Sequence, residues 1–291
     1  MSNSRTSCWW IAFILAGYCL FIDLSAAAPL RLAITDLEGQ EQLQREFGSF
    51  RKLLSKHCGI EFQFFSVPNR TAAIEAMRAG KLEFAIAGPA EYVIFAQRVG
   101  VQLVAAFERP DYHCVIVTLA ESQIDSLEML KGKNIAFGSI GSTSKHLAPF
   151  ALLKQSGLDS RKDFRARHLS VELGWRTLLR KQVNAFATTN DKYDLLRIRD
   201  RNKVSAPPKV IAKSSMLPGD VFVASNQVSP EIVSTLKQAL SEHEDALVAA
   251  MLQGDDNQKY LGMKVNTKIN DADYDSVREM YGLIGYQQFA K

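Results

Sequence analysis

From Leu30 onward, short apolar runs alternate with amphipathic stretches of helical period, and this alternation constrains the fold more than any single motif. The runs LRLAI, EFQFF, FAIAG, VQLVAAF, HCVIVT, NIAFGS, NAFATT and KVIAKSS are strand-length and rich in β-branched and aromatic residues. Gly80, Gly100 and Gly157 punctuate the intervening stretches where helices are expected to stop, because glycine takes the left-handed cap without a side-chain clash. Strand, helix and strand in succession predict an α/β fold with parallel sheets. Eight or more strands in a chain of this length, with no Gly/Ser linker, predict two lobes.

Residues 1–28 read as a secretory signal: Arg5, an apolar run from Trp9 to Leu24, then the small residues Ser25 to Ala28, with cleavage expected near Ala27 or Ala28. Asp23 breaks the run, which is short for a membrane span. Tyr18 before Cys19 does not suit lipid modification, so a soluble exported protein is expected, with about 260 residues, enough for two modest lobes. The net charge is +4, and the basic residues are scattered rather than interleaved with aromatics in a patch, which excludes a nucleic-acid partner.

The stretch Ile135 to Phe150, IAFGSIGSTSKHLAPF, joins a strand, a glycine-rich bend, three hydroxyl residues and a helical pattern. A helix opening behind Ser142, Thr143 and Ser144 turns its free N–H groups and positive dipole end toward the bend, where the hydroxyls add donors. This reads as a cradle for a small oxyanion, or as an ordinary N-cap. Ser142 and His146 lie on one helix without nucleophile-elbow spacing, so no catalysis is expected. His57, His113, His146, His168 and His243 lack metal-ligand spacing, and no cofactor is implied.

Beside its surroundings, this segment resembles the one that marks the PhnD-like family of periplasmic phosphate, phosphite and phosphonate binding proteins, a branch of the type II solute-binding proteins. FRKLLSKHCG (Phe50 to Gly59), IEFQFF (Ile60 to Phe65), AAIEAMRAGKLEFAIAGPAEYV (Ala72 to Val93), SSMLPGDVFVASNQVS (Ser214 to Ser229) and DADYDSVREM (Asp271 to Met280) are similar to its elements in the same order. The resemblance implies lobe 1 at residues 29–114 plus 221–291, lobe 2 at residues 115–220, and hinge strands at Tyr112 to Thr118 and Val221 to Ser225. Ligands of α/β sheets lie beyond strand C-terminal ends. Cleft walls are therefore expected at Thr35 and Asp36, Gly88 to Tyr92, Ser142 to Ser144 and Thr188 to Asp191. Tyr92 and Glu91, like Asn190 and Asp191, either face that cleft or cap the helices they open.

The chain departs from the family at three places. Ile86 and Ala87 replace an aromatic pair, Glu172 falls near a histidine position, and Cys114 sits on the first hinge strand where a small hydroxyl residue is usual. A carboxylate at Glu172 would oppose a phosphonate dianion, with Lys145 a partial offset. Cys114 reads as half of a disulfide with Cys58, as a packed thiol, or as a functional thiol, the last matching the family's arsenite-binding regulators of arsenite oxidase. The expected function is thus a periplasmic receptor for a small oxyanion. The favoured reading is arsenite sensing through Cys114 for a membrane sensor histidine kinase; the alternative is delivery of phosphate, phosphite or phosphonate to an ABC permease.

Overall fold

The computed structural model describes residues 28–203 and 205–290. The expected signal segment therefore lies almost wholly outside the described residues, among which no helix is long and apolar enough to cross a membrane.

Two sheets form. The first takes β1 (Leu30–Ile34), β2 (Phe62–Phe64), β3 (Phe84–Ala87), β4 (Val101–Glu108), β10 (Asp220–Ser225) and β11 (Lys264–Asn266), in the order β11-β4-β10-β3-β1-β2. The second takes β5 (Cys114–Thr118), β6 (Asn134–Phe137), β7 (Arg165–His168), β8 (Ala185–Thr189) and β9 (Lys209–Lys213), in the order β7-β6-β8-β5-β9. Helices α1 (Gln40–Cys58), α2 (Arg70–Arg78) and α3 (Pro89–Arg98) connect the first strands. Helices α4 (Ala148–Gln155), α5 (Val171–Leu179) and α6 (Asn190–Arg199) serve the second sheet, and α7 (Pro230–Glu242), α8 (Glu244–Met251) and α9 (Asp275–Leu283) close the chain. This is the two-lobed type II binding-protein fold.

The sheets are mixed, which corrects the expectation of parallel ones. β1 runs parallel to β2 and β3, but β10 lies antiparallel between β3 and β4, and β5 lies antiparallel between β8 and β9. The cause is the return crossing. A chain that leaves the first sheet and comes back enters β10 from the opposite end. The passages between sheets are residues 109–113 and 214–219; the first takes in Tyr112 and His113, the start of the first hinge strand marked by the sequence, and the second ends just before the other. They run side by side: the Leu217 N–H donates to the Tyr112 carbonyl at 2.8 Å and the Ser214 N–H to the Cys114 carbonyl at 3.0 Å.

Apolar side chains settle into separate cores. Phe47, Phe50, Phe62, Phe84 and Phe222 pack between α1, α7 and one face of the first sheet. Trp175, Leu178, Phe186 and Val117 pack under α5 in the second. A third cluster spans both sheets, joining Ala87, Ala90 and Tyr92 to Ile116, Phe137 and Leu147 and to Tyr274 and Tyr281 near the C-terminus. Burial of this much apolar area is the main force that keeps the lobes in contact.

Candidate ligand-binding site

The C-terminal ends of β1, β3, β6 and β8 face one another across the two crossings, and a cavity of about 230 Å³ opens there. Polar groups supply most of its lining, unlike the mainly apolar pockets that receive drug-like molecules.

Beyond β6, Gly138 and Gly141 shape the approach to the hydroxyl triplet. Gly141 has φ of +88°, and a Cβ on Gly138 would stand 2.6 Å from the Cβ of Lys145, so neither position accepts a side chain freely. The helix opens as a single π turn, Thr143–Leu147, which runs on into α4. Its cause is visible in the backbone, where the Ser142 carbonyl accepts from both His146 N–H at 3.1 Å and Leu147 N–H at 2.9 Å. Ser142 caps the turn by accepting the Lys145 N–H at 3.3 Å. Cap and cradle, posed as alternatives by the sequence, are thus not exclusive: the cap uses an acceptor lone pair and leaves the hydroxyl proton free.

The same accounting holds for its neighbours. Thr143 Oγ1 accepts the Ala90 N–H at 2.9 Å, a buried bond from α3 of the first sheet to the helix of the second. The Tyr112 hydroxyl donates to Ser144 Oγ at 3.2 Å. All three hydroxyls are buried, line the cavity and donate to no protein acceptor among the described residues. Three unspent O–H donors beside a helix N-terminus suit an anion.

Charge is abundant and balanced. Arg70, Arg109, Lys145, Lys192 and Lys259 line the cavity, and so do Asp36, Glu91, Asp191, Asp220 and Asp256. Arg70 is committed to Asp36 and Glu91, and Lys259 meets Asp36 at 3.3 Å. Arg109 differs. It is 8% exposed, sits over the Tyr112 ring, has no carboxylate within ion-pair distance among the described residues, and its Nε is buried without a hydrogen-bond partner there. Burial opposes the Arg109 charge, but Tyr112, Asp220 and Tyr260 restore it and hold the group protonated. Among the described residues Lys145 also lacks an ion-pair partner, and burial pulls its ammonium below the ordinary value. A buried guanidinium with an idle donor is costly unless something arrives to accept from it.

Among the residues that the sequence singled out, Asp36, Gly88, Glu91, Ser142, Thr143, Ser144, Lys145 and Asp191 line this cavity; Tyr92, Cys114, Glu172 and Asn190 do not. Cys114 is fully buried on β5, packed with Ile116 and Ala87, because the pleat turns its side chain into the inter-lobe core. Burial also pushes its thiol well above the ordinary range. Cys58 packs in a different core and both cysteines are free. Glu172 opens α5 on the surface and pairs with Arg199 at 2.8 Å, so it opposes no ligand in the cleft. Tyr92 turns away from the cavity to donate to Asp271 at 2.6 Å. Asn190 binds the first crossing, donating to the Asp111 carbonyl at 2.7 Å and accepting the His113 N–H at 3.0 Å. Arg70, Arg109 and Lys259 escaped sequence reading, since each looks like an ordinary surface cation until the fold turns it inward.

A two-lobed α/β fold with a polar cleft at its crossings defines the class of type II periplasmic solute-binding proteins. Within that class, the chain belongs to the family described as ABC transporter, phosphonate, periplasmic substrate-binding protein, whose pattern matches residues 32–274. This family is one of binding proteins rather than enzymes. Over 283 residues the chain is 25% identical to the phosphate-import protein PhnD of Mycolicibacterium smegmatis, covering 89% of this chain and 87% of that one. It is 30% identical over 217 residues to the phosphonates-binding periplasmic protein of Escherichia coli, covering 69% of this chain and 62% of the other. The solved structure of PhnD1 from Prochlorococcus marinus in complex with methylphosphonate superposes with a TM-score of 0.69 at 19% identity, over 87% of this chain and 97% of that one.

Proposed function

We propose that the protein captures a phosphorus oxyanion, a phosphonate or phosphate, in the cleft and delivers it to the permease of an ABC importer from the periplasm. One observation supports the reading: Arg109, buried and idle at Nε, shares a cavity with three hydroxyls whose protons have no acceptor among the described residues. The anion would take hydrogen bonds from Ser142, Thr143 and Ser144, with Arg109 and Lys145 supplying charge. Charge-assisted bonds of this kind are about twice as strong as neutral ones. The names of the Mycolicibacterium and Escherichia relatives, and the methylphosphonate held by the Prochlorococcus protein, support the same ligand class.

Arsenite sensing through Cys114, with relay to a histidine kinase, finds no support. A thiolate must reach the arsenic centre, whereas this thiol is shut in the core and held protonated. Glu172, which spoke against a dianion, is also gone from the cleft. Equilibrium titration with methylphosphonate and phosphate tests the proposal. Binding at micromolar ligand or tighter is expected, and the absence of any phosphorus-oxyanion binding would refute it.

A further inference from the structure

Glu91 stands in the first turn of α3 and is 2% exposed. Its Oε1 accepts from Thr35 Oγ1 at 2.9 Å and from Arg70. Its Oε2 is buried with no partner. That atom flanks the bare Cα of Gly88, where a Cβ would lie 2.5 Å from Glu91 Oε2 and 3.7 Å from Thr143 Oγ1. The orphan oxygen and the Thr143 hydroxyl therefore converge on one stretch of the cavity wall.

As a carboxylate, Oε2 can only accept, and an oxyanion brought against it would set two electron-rich oxygens face to face. As a carboxylic acid, the same atom donates. Resting on the oxyanion reading above, we propose that Glu91 takes up one proton from solvent as the cleft binds its anion, and that the O–H so formed on Oε2 donates to a ligand oxygen.

The surroundings steer the proton to this group. Facing Glu91 are Thr35 and Asp36 after β1, Arg70 at the start of α2, Thr143 on the π turn, and Tyr281 of α9, whose hydroxyl donates to the Ala90 carbonyl at 3.1 Å; Lys145 lines the same cavity and acts on Asp36. Burial would raise Asp36, but Arg70, Lys259 and Lys145 together drive it far below the ordinary carboxylate range, so Asp36 stays ionised. Burial raises Glu91, Arg70 only partly offsets this, and the Asp36 charge reinforces it. A bound oxyanion adds another negative charge and becomes a third claimant on Arg70, which pushes Glu91 further toward its acid form.

The test is calorimetric titration with methylphosphonate at about pH 8, where an unperturbed carboxyl is ionised, in buffers of different ionisation enthalpy. The slope of apparent enthalpy against buffer enthalpy counts protons exchanged. Wild type is expected to take up close to one proton more than Glu91→Gln, whose amide offers a permanent donor; the ligand's own ionisation contributes to both and cancels. Above the free-state titration of Glu91, wild-type affinity is expected to fall up to about tenfold per pH unit relative to the variant, the slope that one linked proton gives. Equal proton counts and parallel pH profiles overturn the proposal while leaving the oxyanion reading intact. Failure of both proteins to bind methylphosphonate or inorganic phosphate overturns both. Should Glu91→Gln not fold, the infrared difference spectrum of wild type decides: a protonated-carboxyl stretch gained on binding supports the uptake, and its absence rejects it.

Discussion

The guanidinium carbon of Arg109 lies 3.3 Å from the centroid of the Tyr112 ring, and the Tyr112 hydroxyl reaches across to Ser144 Oγ at 3.2 Å. Both residues sit on the first passage between the sheets, so the stack fixes the unpaired cation relative to the hydroxyl turn of the opposite lobe. Stacking and a planar fork of donors are properties of arginine that lysine lacks. Arg109→Lys is therefore expected to weaken methylphosphonate binding roughly 10- to 100-fold, the loss of one charge-assisted contact. Unchanged affinity in that variant would remove Arg109 from the ligand's environment.

Asn190 is expected to act on affinity without meeting the ligand. Its amide donates to the Asp111 carbonyl and carboxylate, each at 2.7 Å, and its oxygen accepts the His113 N–H, so one side chain ties α6 to the crossing. Asn190→Ala should cost about 1–3 kcal/mol of stability, read as a lower denaturant midpoint, together with weaker oxyanion binding. Asn190→Asp should be worse, because a carboxylate would face Asp111. A variant as stable as wild type would show that the crossing holds its shape without this clamp.

Cys114 should be chemically silent. It is 0% exposed and burial holds the thiol protonated at neutral pH. A chromogenic thiol reagent is expected to react with Cys114 only after denaturation, and Cys114→Ser to change phosphate or methylphosphonate affinity by less than about threefold, under 1 kcal/mol. Arsenite binding that disappears in Cys114→Ser would reinstate the sensor reading.

His146 gives the protein a defined acid sensitivity. Its ring, 8% exposed, accepts the Gly141 N–H at 3.3 Å, and burial, with His168 beside it, lowers its pKa to about 4. The folded state thus prefers the neutral ring. The associated stability is complete above the unfolded value of about 6.5 and is lost as pH falls toward 4, by about 3 kcal/mol in all. Melting temperature should drop across that interval in wild type and more shallowly in His146→Gln. Parallel profiles would assign the acid loss to other groups.

The strand and helix alternation of the first sheet, and the hydroxyl triplet opening a helix, were legible because apolar period and capping chemistry are local properties. β7 was not. Arg165–His168 is an exposed polar edge of the second sheet, and such strands carry no apolar run to read. The antiparallel settings of β5 and β10 were hidden as well, since they follow from where the chain recrosses. Cys114 shows the limit at the site itself. Sequence position set it on the first hinge strand, where it would border the cleft, but one step of strand pleat decides whether a side chain meets the cleft or the core, and here it meets the core. Glu172 failed for a related reason: its position was aligned to a histidine by family spacing, while the helix it opens faces solvent and offers Arg199. Arg70 and Arg109 gave no local signal, because pairing with distant Asp36 and Glu91, or stacking under Tyr112, exists only in the folded chain.

The decisive measurement is calorimetric titration of the protein with methylphosphonate, phosphate, phosphite and arsenite, repeated with Ser142, Thr143 and Ser144 each changed to alanine. A phosphorus oxyanion should bind, and each substitution should weaken it by about 1.5–3 kcal/mol, the range for hydrogen bonds to a charged group. Ser142→Ala should also lower the melting temperature through the lost cap. Binding of arsenite alone, or phosphorus-oxyanion affinity unmoved by all three substitutions, would contradict an oxyanion cleft built on these hydroxyls.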